Sequence, residues 1–297
     1  MTEGVAPSAN GRGYARIPGL WNDAQVAGWR PVTAAVHAKG CTIFAQLMHT
    51  GRVSHPGNMP DGARVVAPSA IALAGQMYTD NAGMQDYPVP EMMTEADIAQ
   101  TKAEFVTAAR NAVAAGFDGV ELHAANGYLL EEFLSPLTNT RTDTWGGSVA
   151  NRLRFVVEVA EAVVAAIGGD RVGIRISPYG TASGMNAYPQ IDETYLALSA
   201  ELAKTGLVYI HVVDHTAMGN PASPTAFRHA LRASWPRTYI IGGSFDLASA
   251  QVAVDAGDTD LVGFGRTFLA NPDLVARLQH GLDLTARWRG WPGLTTH

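Results

Sequence analysis

A chain of 297 residues is long enough for one large barrel or two smaller domains, and for a sizeable buried core. Its composition, 47% apolar and 16% charged, is that of an ordinary globular protein, and a net charge of −6 leaves no basic cluster to neutralise nucleic-acid phosphates. The single cysteine, Cys41, excludes an intramolecular disulfide and fits a reducing compartment. With neither a basic-then-apolar leader nor an apolar run long enough to span a bilayer, the expectation is a cytoplasmic protein that binds neither nucleic acid nor membrane.

Residues 1–19 read as loop, punctuated by Pro7, Asn10, Gly11, Gly13, Pro18 and Gly19. Asp23 is placed to cap a helix to about Lys39, with Val26, Trp29, Val32, Ala35 and Val36 at helical spacing, and Gly40 ends it. Thr42 to Leu47 follows as a strand, with Gln46, His49, Arg52 and His55 at and beyond its end. The Pro-, Gly- and Asn-rich stretch from Pro56 to Met93 reads as a long excursion containing a hairpin, and long loops of this kind are usually lids or binding loops. Thr94 predicts an N-cap, with Glu95 and Asp97 in the first turn of a helix to about Ala115.

Next come the strand Gly119 to His123, a helix over 149–167 capped by Ser148 with half a capping box, and the strand Val172 to Ser177. That strand sets Arg175 in an apolar run, where a buried charge demands a partner. A helix over 193–204, a strand over 207–213, a helix over 225–233 and a strand over 238–241 follow. A helix over 246–256, a strand over 261–264 and a last helix over 272–280 complete the chain. Strands alternating with helices imply a parallel sheet, and short strands with polar ends favour a barrel over an open sheet.

Two places carry candidate chemistry. At the first, the strand ending at His123 turns through Asn126-Gly127 into Tyr128-Leu129-Leu130. A histidine after a strand and an Asn-Gly turn are each ordinary structural features. At the C-terminal end of a barrel strand, however, His123 and Asn126 can both donate to one oxygen, and Tyr128 is a weak acid, which together suit a polarised carbonyl. At the second, the turns Gly242-Gly243-Ser244 and Gly263-Phe264-Gly265-Arg266 close the last two strands. Glycine backbone, a helix start and a guanidinium there favour a phosphate ligand. His49 and His55 lack the acidic neighbours of a metal site, so no metal is expected.

His123-Ala124-Ala125-Asn126-Gly127-Tyr128-Leu129-Leu130, continued by Phe133-Leu134-Ser135-Pro136, Asn139-Thr140-Arg141-Thr142-Asp143 and Gly146-Gly147-Ser148, resembles the signature of the Old Yellow Enzyme family of flavin-dependent ene-reductases. The resemblance implies a TIM-type (β/α)8 barrel, a single domain over residues 1–297 with FMN across its mouth. Gln46 and Arg175 would then bind the flavin pyrimidine edge, and Gly243, Ser244, Gly265 and Arg266 its phosphate. His123 and Asn126 would grip the carbonyl or nitro oxygen of an activated alkene that Tyr128 protonates, with NADH or NADPH as the reductant.

The chain departs from that pattern at its start, where Met1 to Val5 resembles the tail of the family's second strand. The expectation is therefore an incomplete barrel of six strands and a stub, lacking the first strand, the first helix and a flavin-contacting threonine. Met48 stands where many relatives carry tryptophan, and Trp288 and Trp291 lie where some carry a Tyr-Gly element. An NAD(P)H oxidase or nitro-reductase, and a homologue that binds flavin weakly without catalysis, remain alternatives. Self-association into a homo-oligomer is left open.

Overall fold

The computed structural model describes residues 1–216, 219–220 and 222–285; Trp288 and Trp291 lie outside the described residues. In chain order the elements begin with the two-residue strand β1 (Gly4–Val5), α1 (Asp23–His37) and β2 (Phe44–Leu47). The excursion holds β3 (Val66–Ala67), the antiparallel hairpin β4 (Gln76–Thr79) and β5 (Gly83–Asp86), and β6 (Glu91–Met92), which pairs with β3. The hairpin falls where it was predicted.

The chain continues with α2 (Glu95–Ala114), β7 (Gly119–Ala124), α3 (Leu129–Leu134), α4 (Val149–Ile167) and β8 (Val172–Ile176). Then follow α5 (Ile191–Thr205), β9 (Tyr209–Val213), α6 (Thr225–Ser234) and β10 (Thr238–Gly242). The last elements are α7 (Leu247–Asp255), β11 (Leu261–Gly263), α8 (Arg266–Ala270) and α9 (Leu274–His280).

Seven strands form one parallel sheet in the order β1-β2-β7-β8-β9-β10-β11. β1 pairs only with β2 and β11 only with β10, so the described strands make an open, incomplete barrel with the stub at one edge, as expected. β7 lies near the middle, and all six of its residues are buried. Its alternate residues Val120, Leu122 and Ala124, with Ile174 and Ile176 of β8 and Ile210 of β9, join the apolar core together with Phe105 and Ala109 of α2 and Phe155 and Val159 of α4. Side chains alternate along a strand, so the other set faces the barrel interior, where the polar residues stand.

Local caps explain why the helices start where they do. Thr94 accepts from Asp97 N while the Asp97 carboxylate takes the Thr94 amide, a complete capping box that a Thr-to-Ala change would weaken by about 1 kcal/mol. Ser148 accepts from Asn151 N alone, the predicted half box. At α1 the cap is Asn22 rather than Asp23, because Asn22 is extended (φ −145°) and Gln25 reaches back to its amide. The apolar stripe of α1 is only partly used, with Val26 buried and Val32 42% exposed. α8 was not foreseen: five residues carry too little periodicity to read as a helix.

Candidate active site

Parallel pairing sets the interior side chains in layers. Gln46 lies in register with Glu121, Glu121 with Gly173, and Gly173 with Tyr209. Two residues further along, nearer the strand ends, His123 stands in register with Arg175 and Arg175 with His211. Gly173 makes the lower layer possible, since a β-carbon there would lie 2.1 Å from the Tyr209 ring. With that space filled by the neighbouring ring rather than by a side chain of β8, Glu121 of β7 reaches His211 of β9.

Glu121 is the hub of this layer and fully buried. One carboxylate oxygen accepts from Gln46 Nε2 at 2.7 Å, and the other lies 2.9 Å from His211 Nδ1. Burial pushes its pKa up, but the His211 imidazole, the Gln46 hydrogen bond and the Arg175 charge outweigh it and hold the carboxyl at about 2. The partner that Arg175 demanded is therefore Glu121, acting through space. Arg175 Nε, His123 Nδ1 and His211 Nε2 are buried with no hydrogen-bond partner among the described residues.

Above this layer β7 ends in a turn with both Asn126 (φ 60°) and Gly127 (φ 75°) in the left-handed region. Buried groups hold that conformation. Asn126 N donates to Ser177 Oγ at 2.8 Å, and the Ser177 hydroxyl donates to Glu131 Oε1 at 2.8 Å. Gly127 N donates to Glu131 Oε2 at 2.6 Å, and the Tyr195 hydroxyl also donates to Glu131. Burial pushes the Glu131 carboxyl up to about 7 in spite of these donors. Glu132 beside it, fully buried and accepting from Arg52 N at 2.8 Å, is pushed up to about 8, again by burial. The Asn126 amide oxygen lies 2.8 Å from His215 Nε2.

His123 is 3% exposed, and burial together with the Arg175 charge lowers its pKa to about 3, so it is a neutral imidazole. The Tyr128 ring meets His123 edge-on with centroids 5.0 Å apart, and its hydroxyl lies 3.1 Å from that of Tyr14. Burial raises the pKa of both phenols, so both keep their protons near neutral pH. The fold thus brings together His123, Asn126, Tyr128, Gln46 and Arg175.

The second predicted cluster is built differently. Gly242 and Gly263 are register partners at the ends of β10 and β11, and Arg266 Nη2 donates to Ser244 Oγ at 3.1 Å. Ser244, Gly265 and Arg266 are exposed, and a β-carbon on Gly265 would meet nothing within 4 Å. Asp246 caps α7 through Ser249, so that helix start already has its own carboxylate. The anion donors left at this end are the backbone of Gly243, Ser244 and Gly265 and the Arg266 guanidinium.

Sequence reasoning missed Glu121, Glu131, Ser177, His211, His215 and Tyr14. Glu121 and His211 did carry a signal, a polar residue inside an apolar strand run, the same signal that singled out Arg175. Tyr14 and His215 lie in loops without periodicity and carried none. Among the described residues, no helix is long and apolar enough to cross a membrane, and no group of three or more His, Cys, Asp or Glu is placed to hold a metal ion.

Comparison with known proteins gives a consistent result. The model of the NADH:flavin oxidoreductase / NADH oxidase family matches residues 1–285. The chain is 44% identical over 291 residues to a chanoclavine-I aldehyde reductase of Penicillium roqueforti, covering 95% of this chain and 76% of the relative. It is 41% identical over 276 residues to a probable flavin mononucleotide-dependent alkene reductase of Leishmania infantum, covering 91% and 74%. Among solved structures, morphinone reductase superposes with a TM-score of 0.91 at 40% identity, covering 95% of this chain and 77% of that one. An old yellow enzyme homologue from Zymomonas mobilis superposes with a TM-score of 0.90 at 34% identity, covering 95% and 79%.

Proposed function

Because the chain belongs to the NADH:flavin oxidoreductase / NADH oxidase family, that of the Old Yellow Enzymes, we propose that it reduces activated C=C bonds. The substrates are α,β-unsaturated carbonyl or nitro compounds, with FMN as cofactor and NADH or NADPH as reductant. In this reading residues 1–297 act as one FMN-binding domain in the cytoplasm.

The observation that carries the reading is the Arg175 guanidinium, whose buried Nε has no acceptor among the described residues although Arg175 stands in register with His123. A buried charged donor left without an acceptor is costly, and an electron-rich ring edge would supply one. Gln46 fits the same ligand, because its Nε2 is occupied by Glu121 and its amide oxygen is left to accept a ring N–H. Gly243, Ser244, Gly265 and Arg266 would take the phosphate. When bound, FMN supplies the hydride chemistry that no side chain can perform.

The remaining work falls to the chain's own residues. Neutral His123 and the Asn126 amide hold the substrate oxygen, and donors already aimed at an oxygen that gains negative charge lower the barrier. Tyr128, neutral because burial raises its pKa, gives its hydroxyl proton to the α-carbon, and Tyr14 can share that proton through the hydrogen bond between the two phenols.

Steady-state turnover of the FMN-loaded protein with NADPH, comparing 2-cyclohexenone with a nitroester, tests the proposal. Saturable reduction of the enone is expected. Turnover of the nitroester or of oxygen alone would instead assign an oxidase or nitro-reductase, and protein that stays colourless after incubation with FMN would assign a homologue without catalysis.

A further inference from the structure

Asn126 carries a constraint beyond its backbone. A primary amide offers an acceptor oxygen on one side and two N–H donors on the other, and its terminal torsion is close to two-fold, so local partners decide which face is presented. The only side-chain hydrogen bond of the Asn126 amide among the described residues runs to His215 Nε2, at 2.8 Å from Oδ1. With Oδ1 on that side, the contact is a hydrogen bond when Nε2 carries the hydrogen.

His215 is half-buried in the loop after β9, with Gly180 close by, where an added β-carbon would lie 3.4 Å from His215 Cδ2. The groups acting on its charge are Arg175 and Arg266, which oppose protonation, and Asp214, which favours it. Burial and the two arginines prevail and lower its pKa. A neutral imidazole has one N–H, and its position decides the amide. With hydrogen on Nε2 the ring fixes Oδ1, and Nδ2 faces the other way. With hydrogen on Nδ1 the Nε2 lone pair would draw Nδ2, and Oδ1 would face the substrate.

We propose that His215 is a positioning residue that, as an Nε2–H donor to Asn126 Oδ1, sets the amide so that its two N–H groups are offered to the substrate oxygen. The role rests on the reading of Asn126 given above and deepens it. With the amide reversed, a carbonyl or nitro oxygen would face Oδ1 and two acceptors would be opposed, so the setting made by His215 is the one that suits an oxygen able only to accept. The imidazolium also donates from Nε2, so the setting persists on either side of the His215 titration.

Two measurements on the FMN-loaded protein test this. The first is a long-range proton–nitrogen NMR spectrum of histidine-labelled protein, with the His215 signals assigned by their loss in His215→Gln. The Nε2–H tautomer is expected, and the Nδ1–H tautomer overturns the proposal. The second is kinetic. His215→Gln, whose amide can donate, retains the kcat/KM for 2-cyclohexenone to within about threefold, whereas His215→Leu lowers it about tenfold, one hydrogen bond's worth.

FMN affinity, read from quenching of flavin fluorescence, is expected to stay at the unsubstituted value in both variants, which separates positioning from misfolding. His215→Leu combined with Asn126→Ala should lose no more than Asn126→Ala alone. Additive losses, or full activity in His215→Leu, overturn the role of His215 while leaving Asn126 in place. An Asn126→Ala variant with unchanged kcat/KM overturns the functional reading of Asn126, and the role of His215 with it.

Discussion

The two halves of the candidate site are made by opposite means. Around β2, β7, β8 and β9 the polar groups are enclosed. Gln46, Glu121 and His123 are buried, and strand register sets Gln46 beside Glu121 and His123 beside Arg175. At the ends of β10 and β11 the donors Ser244, Gly265 and Arg266 are exposed, and β11 is an edge strand. The first half is rigid because removing one member strands the charge of another in a low-dielectric interior. The second half is held by backbone shape and one exposed arginine contact, so individual losses there should be mild.

Substitutions can break or sharpen that contrast. The largest effect is expected from Glu121→Ala, which leaves Arg175 without its counter-charge and Gln46 and His211 without their acceptor. Breaking a buried charge network in this way costs about 3–5 kcal/mol, measurable as a lower urea midpoint. His123→Ala should leave folding nearly intact and lower kcat/KM for 2-cyclohexenone about 10²–10³-fold, the usual effect of losing one donor to a growing oxyanion. A loss under threefold would remove His123 from the oxygen clamp.

A pH series of thermal melts probes the enclosed half without mutation. Glu131 and Glu132 have folded pKa values raised from 4.5 to about 7 and about 8. The folded state therefore binds more protons than the unfolded chain between 4.5 and those values. The stability they contribute is fully present below the unfolded carboxyl pKa and is lost as pH rises through the folded values, by about 1.4 kcal/mol per pH unit for each group. Glu132→Gln should flatten the upper part of that slope, and an unchanged slope would mean the carboxyl is ionised in the folded protein.

The smallest effect belongs to the exposed half. Arg266→Ala should weaken FMN binding about tenfold, with a smaller salt dependence and no change in melting temperature. A loss of folding there would erase the distinction between the halves.

The contrast also sets what could be read from the amino-acid sequence. Elements with strong periodicity and caps, such as α2 behind Thr94 and α4 behind Ser148, were legible because the cap and the apolar stripe are local. Gln46, His123 and Arg175 stood out as polar residues in or at the ends of strands, and Asn126 and Tyr128 in the turn that follows; register sets His123 beside Arg175 and Gln46 beside Glu121. The hub was not. Glu121 matters because Gly173 leaves room between β7 and β9, a relation across three strands that no local pattern carries. Glu131 carries no local signal in the sequence, and only the tertiary fold buries it against Ser177 and Tyr195.

The most direct test of the central claim is the oxidative half-reaction in the absence of oxygen. FMN-loaded protein is bleached with one equivalent of NADPH and then mixed with 2-cyclohexenone, while the visible flavin absorbance is followed. The account predicts that the absorbance returns with formation of one equivalent of cyclohexanone, and that the return is slowed in His123→Ala. Flavin that stays bleached in the presence of the enone and regains its colour only when air is admitted would contradict it.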